Sequence, residues 1–144
     1  MSRKPTPSVQ YAALPYRRRA GGGIEVLLIT SRETRRWVIP KGWPMPGLTP
    51  HDSAKNEAVE ESGVVGRIGE RSIGFYHYTK LVAGEGIPCR VEVFPLEVET
   101  QLVSWLEEGQ RNVQWFEPHE AGEAVQEPEL SAIIRDLAAL LAKI

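Results

Sequence analysis

The chain has 144 residues, of which 42% are hydrophobic and 25% are charged, and its formal net charge is -2. This length and composition are typical of one globular domain with its own hydrophobic core. The small net charge gives no indication of a nucleic-acid or membrane partner, and no apolar run approaches the ~20 residues of a membrane span.

The first part of the chain predicts a short tail followed by strands. Residues 1–7 are expected to form a loose N-terminal tail, because "MSRKPTPS" lacks the apolar segment of a secretory signal. Two β-rich apolar runs follow at 8–16 and 23–30, and the three glycines between them predict a turn. A short third strand is predicted at 37–40.

The next predicted element is a helix at 50–62 with well-defined ends. Thr49 can cap its first turn and Pro50 suits the first helical position. Gly63 suits the position after the last turn, where a left-handed backbone often ends a helix. These local signals fix both ends of the helix from the sequence alone.

The second half of the chain predicts more strands and a final helix. Residues 66–81 and 88–98 have β-rich patterns, 102–112 form a connection, and 113–117 form another strand. Pro128 is placed to open a C-terminal helix, whose apolar residues recur at helical spacing: Leu130, Ile133, Ile134, Leu137 and Leu141. Strands around one internal and one C-terminal helix predict an α/β or α+β sandwich made by a single domain, residues 8–144.

Three carboxylates lie close together on the predicted helix 50–62. At ~100° per residue, Glu57, Glu60 and Glu61 fall within a sector of roughly 100° and repel one another. A solvated acidic face would explain them. A divalent cation would also explain them, since it removes the repulsion and oxygen ligands are those that Mg2+ and Mn2+ prefer.

The stretch from Gly42 to Val64 resembles the signature of the Nudix hydrolase family. That signature reads G-x5-E-x7-R-E-U-x-E-E-x-G-U, where U is an apolar residue. Gly42 matches the opening glycine, and "NEAVEESGV" at 56–64 aligns with the closing stretch. The resemblance implies an α/β fold: an α-β-α sandwich with a mixed sheet, one box helix and a C-terminal helix.

The same resemblance implies metal-dependent hydrolysis of a phosphoanhydride with Mg2+ or Mn2+. Glu60 and Glu61 would be the main metal ligands and Glu57 a ligand or the residue that orients the water, so all three are candidate catalytic residues. The backbone carbonyl of Gly42 would be a further ligand. A further acid from outside the box is also expected, and the sequence does not choose among Glu92, Glu97, Glu99 and Glu117.

The expected substrate is a small polyphosphate, bound by a monomer or homodimer in the cytoplasm. Residues 25–43 and the box look like the branch that contains diphosphoinositol polyphosphate and diadenosine polyphosphate hydrolases. A nucleoside diphosphate linked to another group is a further possibility. Basic side chains suit phosphate geometry, and the candidates chosen as substrate-binding residues are Arg17, Arg32, Lys41 and Arg90. The single cysteine, Cys89, excludes an internal disulfide and is compatible with the cytoplasm.

Two positions depart from the box. Its first glutamate is Leu48 here and its arginine is Asn56. Loss of both together leaves no unpaired partner, so an active enzyme is expected. The alternative is a weak or inactive Nudix-like module that binds a nucleotide or an inositol polyphosphate.

Overall fold

A computed structural model describes residues 6–144, so residues 1–5 of the expected tail lie outside the described residues. The elements in chain order are β1 (Ser8–Arg18), β2 (Ile24–Thr30), β3 (Trp37–Val38), β4 (Lys41–Gly42), α1 (Pro50–Ser62), β5 (Val64–Ile68), β6 (Gly74–Val82), β7 (Glu85–Gln101), β8 (Val113–Phe116), α2 (Pro118–Ala124), α3 (Pro128–Arg135) and α4 (Leu137–Leu141). The boundary between tail and domain stays a prediction.

The strands form one mixed sheet with β1 and β7 at its centre. Its main path is β3-β2-β1-β7-β5, while β4 pairs with β1, β6 with β7, and β8 with β2. The β1–β7 pairing is parallel, from Ser8 opposite Cys89 to Tyr16 opposite Glu97. The other pairings between named strands are antiparallel. The mixed sheet agrees with the predicted fold class.

Helices cover both faces of the sheet because the central strands are apolar on both sides. In β2, Val26 and Leu28 belong to one core cluster, whereas Leu27 and Ile29 belong to the other. Successive strand side chains point to opposite faces, so a continuous apolar run needs two covers. Helix α1 covers one face through Ala54 and Ala58. Helices α2, α3 and α4 contribute the cover of the other: Ala121, Leu130, Ile133, Ile134 and Leu137.

The helices differ in number from the two that the sequence predicts. The predicted C-terminal helix is divided, since α3 ends at Arg135 and Asp136, with φ of -95° and ψ of 9°, separates it from α4. A further short helix, α2, precedes it. The Glu117 side chain caps α2 by accepting hydrogen bonds from the backbone N–H groups of His119 and Glu120. The predicted apolar residues of α3 and α4 still share one side, because both short helices pack on the same core cluster of the sheet.

Candidate active site

One cavity of about 820 Å³ lies between α1, β4, β6 and the loop that joins β7 to β8. Its charged lining contains carboxylates and cations in similar numbers. The acids are Glu33, Glu57, Glu60, Glu61, Glu107 and Glu127, and the cations are Arg32, Arg36, Lys41, Lys80 and Arg111. The three acids of the predicted helix face are thus brought to one cavity rather than spread over bulk surface.

Helix α1 is held in place by the caps that its sequence predicts. The hydroxyl of Thr49 accepts the backbone N–H of Asp52 at 3.2 Å, and Pro50 begins the helix. Gly63 ends it with a φ of 73° and donates its N–H to the carbonyl of Val59. The predicted bounds of 50–62 are confirmed. Because Ala54 and Ala58 are fully buried on the sheet, the rotation of α1 is fixed and the acidic face is turned to the cavity.

Gly42 lies directly against the carboxyl group of Glu57. A Cβ atom at position 42 would lie 2.2 Å from Oε1 and 2.4 Å from Cδ of Glu57. Any side chain there would therefore occupy the space that the carboxyl group takes. The close approach places the backbone of β4 beside the acidic face of α1.

Glu61 is held from two directions. Its Oε1 accepts the backbone N–H of Lys41 at 3.3 Å, and its Oε2 lies 3.9 Å from Nη2 of Arg111. The residue is only 6% exposed. A buried carboxylate with partners on both oxygens keeps one orientation.

Glu60 has a neutral partner on its own helix. The Asn56 amide donates to Oε1 of Glu60 at 3.0 Å and also approaches the sulfur of Met45 at 3.1 Å. The backbone carbonyl of Glu60 accepts the N–H of Glu107 at 2.9 Å, which ties the β7–β8 loop to α1. Asn56, at the position of the box arginine, thus contacts a box glutamate without adding charge.

Burial and mutual repulsion perturb the carboxyl groups and the neighbouring lysine. Burial, then a hydrogen bond with Glu61 and the surrounding acids, raises the pKa of Glu57 to about 9. Burial also raises the pKa of Glu61, although its hydrogen bond with Glu57 and the charges of Arg111 and Lys41 oppose the rise. Burial lowers the pKa of Lys41 to about 8. Perturbed acids and a perturbed amine in one cavity are typical of functional sites.

The donor set fits a divalent cation of the Mg2+ or Mn2+ type. Within residues 6–144, no three side chains of His, Cys, Asp or Glu form a ready-made metal centre. The carboxyl groups of Glu57 and Glu61 instead lie close enough that each perturbs the pKa of the other. A shared proton relieves like-charge repulsion, and a cation would relieve it in the same place through oxygen ligands. Because Gly42 has no side chain, the carboxyl group of Glu57 can occupy the space beside it and stay with the other carboxylates.

The sequence model of the NUDIX domain matches residues 9–140, nearly the whole of the described fold. The chain belongs to the Nudix family. The resemblance seen in the box sequence is confirmed.

Curated Nudix relatives resemble this chain over part of their own length. Arabidopsis thaliana Nudix hydrolase 13, named as mitochondrial, is 29% identical over 126 residues, which cover 83% of this chain and 62% of the relative. Mouse diphosphoinositol polyphosphate phosphohydrolase 3-alpha is 32% identical over 105 residues, covering 71% of this chain and 60% of the relative. The chain therefore spans about three fifths of the length of these relatives.

Solved Nudix structures share the fold. A Caenorhabditis elegans Ap4A hydrolase in a binary complex superposes with a TM-score of 0.69 at 23% identity, covering 95% of this chain and 99% of that one. A Nudix hydrolase from Nitrosomonas europaea gives a TM-score of 0.70 at 20% identity, covering 93% and 90%. The α-β-α sandwich predicted for the Nudix resemblance is confirmed.

Of the four predicted substrate-binding residues, two line the cavity and two do not. Arg32 and Lys41 are in its wall. Arg17 pairs with Glu25 on the neighbouring strand at 2.9 Å and lies over the ring of Trp115. The guanidinium of Arg90 lies 3.8 Å from the ring centre of Phe75. Arg17 and Arg90 have partners outside the cavity and do not line it.

The further acids that line the cavity beside Glu57, Glu60 and Glu61 are not the four that the sequence analysis offered as candidates. Glu92, Glu97, Glu99 and Glu117 do not line the cavity, whereas Glu107 and Glu127 do. Glu97 is paired with Arg18 and Arg67, and Glu117 caps α2. The predicted connection 102–112 carries Glu107 and Arg111 to the site. Because that loop has no periodic pattern, neither residue could be assigned to the site from the sequence.

Proposed function

We propose that this Nudix domain hydrolyses a phosphoanhydride in a divalent-cation-dependent reaction, and that its substrate is a nucleoside polyphosphate of the dinucleoside type. The observation that carries the proposal is the meeting of three α1 carboxylates with a set of cations in one large cavity. Acidic ligands alone suit a cation, and basic side chains alone suit an anion. Their combination suits a metal–phosphate complex.

Glu57, Glu60, Glu61 and the backbone carbonyl of Gly42 are the proposed metal-binding groups, with Glu107 as the acid from outside the box. A bound cation would neutralise the diphosphate and lower the pKa of a coordinated water. The hydrolysis forms one P–O bond from water and breaks one bridging P–O bond. Glu57 is the proposed acceptor of the water's proton, because its carboxyl group lies against Gly42 within the proposed metal-binding set and a cation bound there would keep it ionised.

Lys41 and Arg32 are the proposed phosphate-binding residues. With a pKa of about 8, the Lys41 ammonium is largely protonated at neutral pH, and it lies 4.9 Å from the ring centre of Tyr78. No carboxylate of residues 6–144 pairs with it within 4.0 Å. It therefore remains available to neutralise charge on the departing phosphate.

The distribution of charge favours a dinucleoside polyphosphate over a diphosphoinositol polyphosphate. An inositol polyphosphate carries phosphates around its whole ring and needs cations on every side. Here acids are interspersed among the cations, and the wall also holds Trp43, which is 42% exposed, together with Tyr78 and Leu81. A dinucleoside polyphosphate concentrates its charge between two flat bases, which can stack on aromatic side chains for about 1–3 kcal/mol each.

A phosphate-release screen tests the function. The protein is incubated with Mg2+ or Mn2+ and with dinucleoside polyphosphates, nucleotide sugars or diphosphoinositol polyphosphates. We expect turnover that is greatest for a dinucleoside polyphosphate and that is lost in EDTA. Full activity after exhaustive EDTA treatment would reject the metal assignment. Tight binding of a nucleotide or an inositol polyphosphate without turnover would instead support the non-catalytic alternative suggested by Leu48 and Asn56.

Trp43→Leu separates the two substrate classes. It removes a stacking surface but leaves every charge in place, so KM for a dinucleoside polyphosphate should rise by about tenfold. KM for a diphosphoinositol polyphosphate should not change. Val103→Ala is the matched control, because Val103 is 94% exposed and does not line the cavity. Equal effects of Trp43→Leu on both substrates would argue against a base-stacking role.

Location and assembly stay predictions. Of the helices between residues 6 and 144, none has the length and apolarity needed to cross a membrane. The cytoplasmic location is not supported by the Arabidopsis relatives, whose names place them in mitochondria or chloroplasts. A monomer or homodimer is still expected.

A further inference from the structure

Arg111 makes two hydrogen bonds and one longer ion-pair contact in the wall of the cavity. Its Nε donates to Oε1 of Glu107 at 3.0 Å, its Nη1 donates to the backbone carbonyl of Thr30 at 3.2 Å, and its Nη2 lies 3.9 Å from Oε2 of Glu61. The side chain is only 10% exposed. One guanidinium thus joins the β7–β8 loop, the end of β2 and the last turn of α1.

These contacts bring a positive charge to the last turn of α1, which has none of its own. The last turn of α1 carries Glu60 and Glu61 but contains no basic residue, and the side-chain partner of Glu60 on the helix is the neutral amide of Asn56. Within residues 6–144, Arg111 is the residue whose cationic side chain lies within 4.0 Å of a carboxylate in this turn. It contacts one carboxylate of the helix and one carboxylate of the loop through different nitrogen atoms.

We propose that Arg111 is a positioning residue that fixes Glu61 and Glu107 in one array, so that the helix and the loop present their carboxylates to the same cation. The proposal rests on the proposed metal-dependent function. Arg111 does not itself touch the metal or the substrate in this role. It orients two carboxylates whose remaining lone pairs are free for a cation, since each carboxylate offers about four acceptor positions.

The planar shape of the guanidinium is what the role requires. Nε and Nη1 of Arg111 donate hydrogen bonds to Glu107 and Thr30, and Nη2 lies in the same plane, 3.9 Å from Oε2 of Glu61. A lysine ammonium is a single point and cannot reproduce that spread. Arg111→Lys therefore separates geometry from charge, because it keeps the positive charge and loses the planar arrangement of donors.

The test measures Mn2+ binding to the substrate-free protein by calorimetry, together with melting temperature and kcat/KM at saturating metal. We expect Arg111→Lys and Arg111→Met each to weaken Mn2+ affinity by about 10- to 100-fold, as other changes beside metal ligands do. Excess Mn2+ should restore much of the turnover. If Arg111→Met does not fold, Arg111→Lys decides the question.

Two control variants separate positioning from general loop anchoring. Thr30→Val removes the hydroxyl that accepts the N–H of Asn112 at 2.9 Å, so it loosens the same loop without touching a carboxylate. Arg67→Met removes an exposed arginine that pairs with Glu97 outside the cavity. Both should bind Mn2+ with affinity close to that of the unaltered protein. An equal loss in Thr30→Val, or unchanged affinity in a folded Arg111→Lys, would overturn the proposal.

The unaltered protein and Glu60→Gln provide the reference for the proposed function. If Glu60→Gln binds Mn2+ as well as the unaltered protein does, the metal site itself is misplaced and the proposed function fails. If Glu60→Gln loses affinity but the Arg111 variants do not, only the positioning role of Arg111 fails. The two failures thus give different results.

Discussion

Gly42→Ala tests the geometry of the site with the smallest possible change. The added methyl carbon would lie 2.2 Å from Oε1 of Glu57, where ordinary van der Waals contact begins at 3.4 Å. The carboxyl group would have to retreat by at least about 1 Å, and a misplacement of that size can reduce catalysis by about 100-fold. We expect kcat to fall by about that factor.

The fold should tolerate Gly42→Ala. Gly42 is not among the described residues with positive φ, so alanine can adopt its backbone conformation. The atom that must move is the end of a flexible glutamate side chain rather than backbone. The free energy of unfolding should therefore change by less than about 1 kcal/mol, as for other compatible glycine-to-alanine changes.

The assay is phosphate release with Mn2+, accompanied by thermal melting. Gly21→Ala is the matched control, because no atom lies within 4 Å of the position its Cβ would take. In a Glu57→Ala background, Gly42→Ala should have no further effect, since the group it displaces is gone. Near-normal turnover of Gly42→Ala, or a full additional loss in the Glu57→Ala background, would refute the reasoning.

Three further predictions concern the acidic helix. Glu60→Gln and Glu61→Gln should each lower kcat by orders of magnitude. The melting temperature of the metal-free protein should stay the same or rise, because each substitution removes one charge from a cluster of repelling carboxylates. Near-normal turnover in both variants would mean that the acidic face of the helix is only solvated. Since the folded-state pKa of Glu57 is about 9 and that of an ordinary glutamate is 4.5, the Glu57 carboxyl group of the metal-free fold keeps a proton that the unfolded chain loses between these values, whereas Lys41, whose pKa is lowered to about 8, has the opposite effect above that pH. The melting temperature of the metal-free protein in EDTA should therefore fall as the pH rises from 4.5 to about 8, and a rising profile in that range would contradict the assigned shift. Finally, Leu48→Glu and Asn56→Arg should each leave stability unchanged or lower it, while the double variant should recover part of the loss. A thermal double-mutant cycle should give a coupling free energy of about 0.5–3 kcal/mol. Strict additivity would show that the two positions do not face each other.

Features with local causes could be predicted from the sequence. The bounds of α1 follow from Thr49, Pro50 and Gly63, which act within one turn of the ends they define. The turn between β1 and β2 follows in the same way from its glycines, and Arg19 there hydrogen-bonds to Gly23. The acidic face of α1 needs only helical geometry. Such features need no knowledge of distant residues.

Features set by tertiary contacts could not be predicted. Glu107 reaches the cavity because its backbone N–H meets the carbonyl of Glu60, a contact between segments far apart in sequence. Arg17 lies outside the cavity because it forms an ion pair with Glu25 on the neighbouring strand of the hairpin. The sequence of a strand end does not show whether its arginine binds a ligand or pairs with a neighbouring acid. Helix α2 is short and contains Gly122, whose poor helix propensity argues against a helix in that segment of the sequence.

The parallel pairing of β1 with β7 has a consequence for how the chain acquires its structure during synthesis. The partners are about 80 residues apart, so the central pair of the sheet forms only after a long loop closes, and such non-local pairing folds slowly. While the ribosome is still making β7, β1 lacks its central neighbour and its apolar residues remain uncovered. A nascent chain stalled before residue 85 should therefore be protease-sensitive and should bind chaperones, whereas one in which β7 and the covering helices up to α4 have left the ribosome should resist digestion.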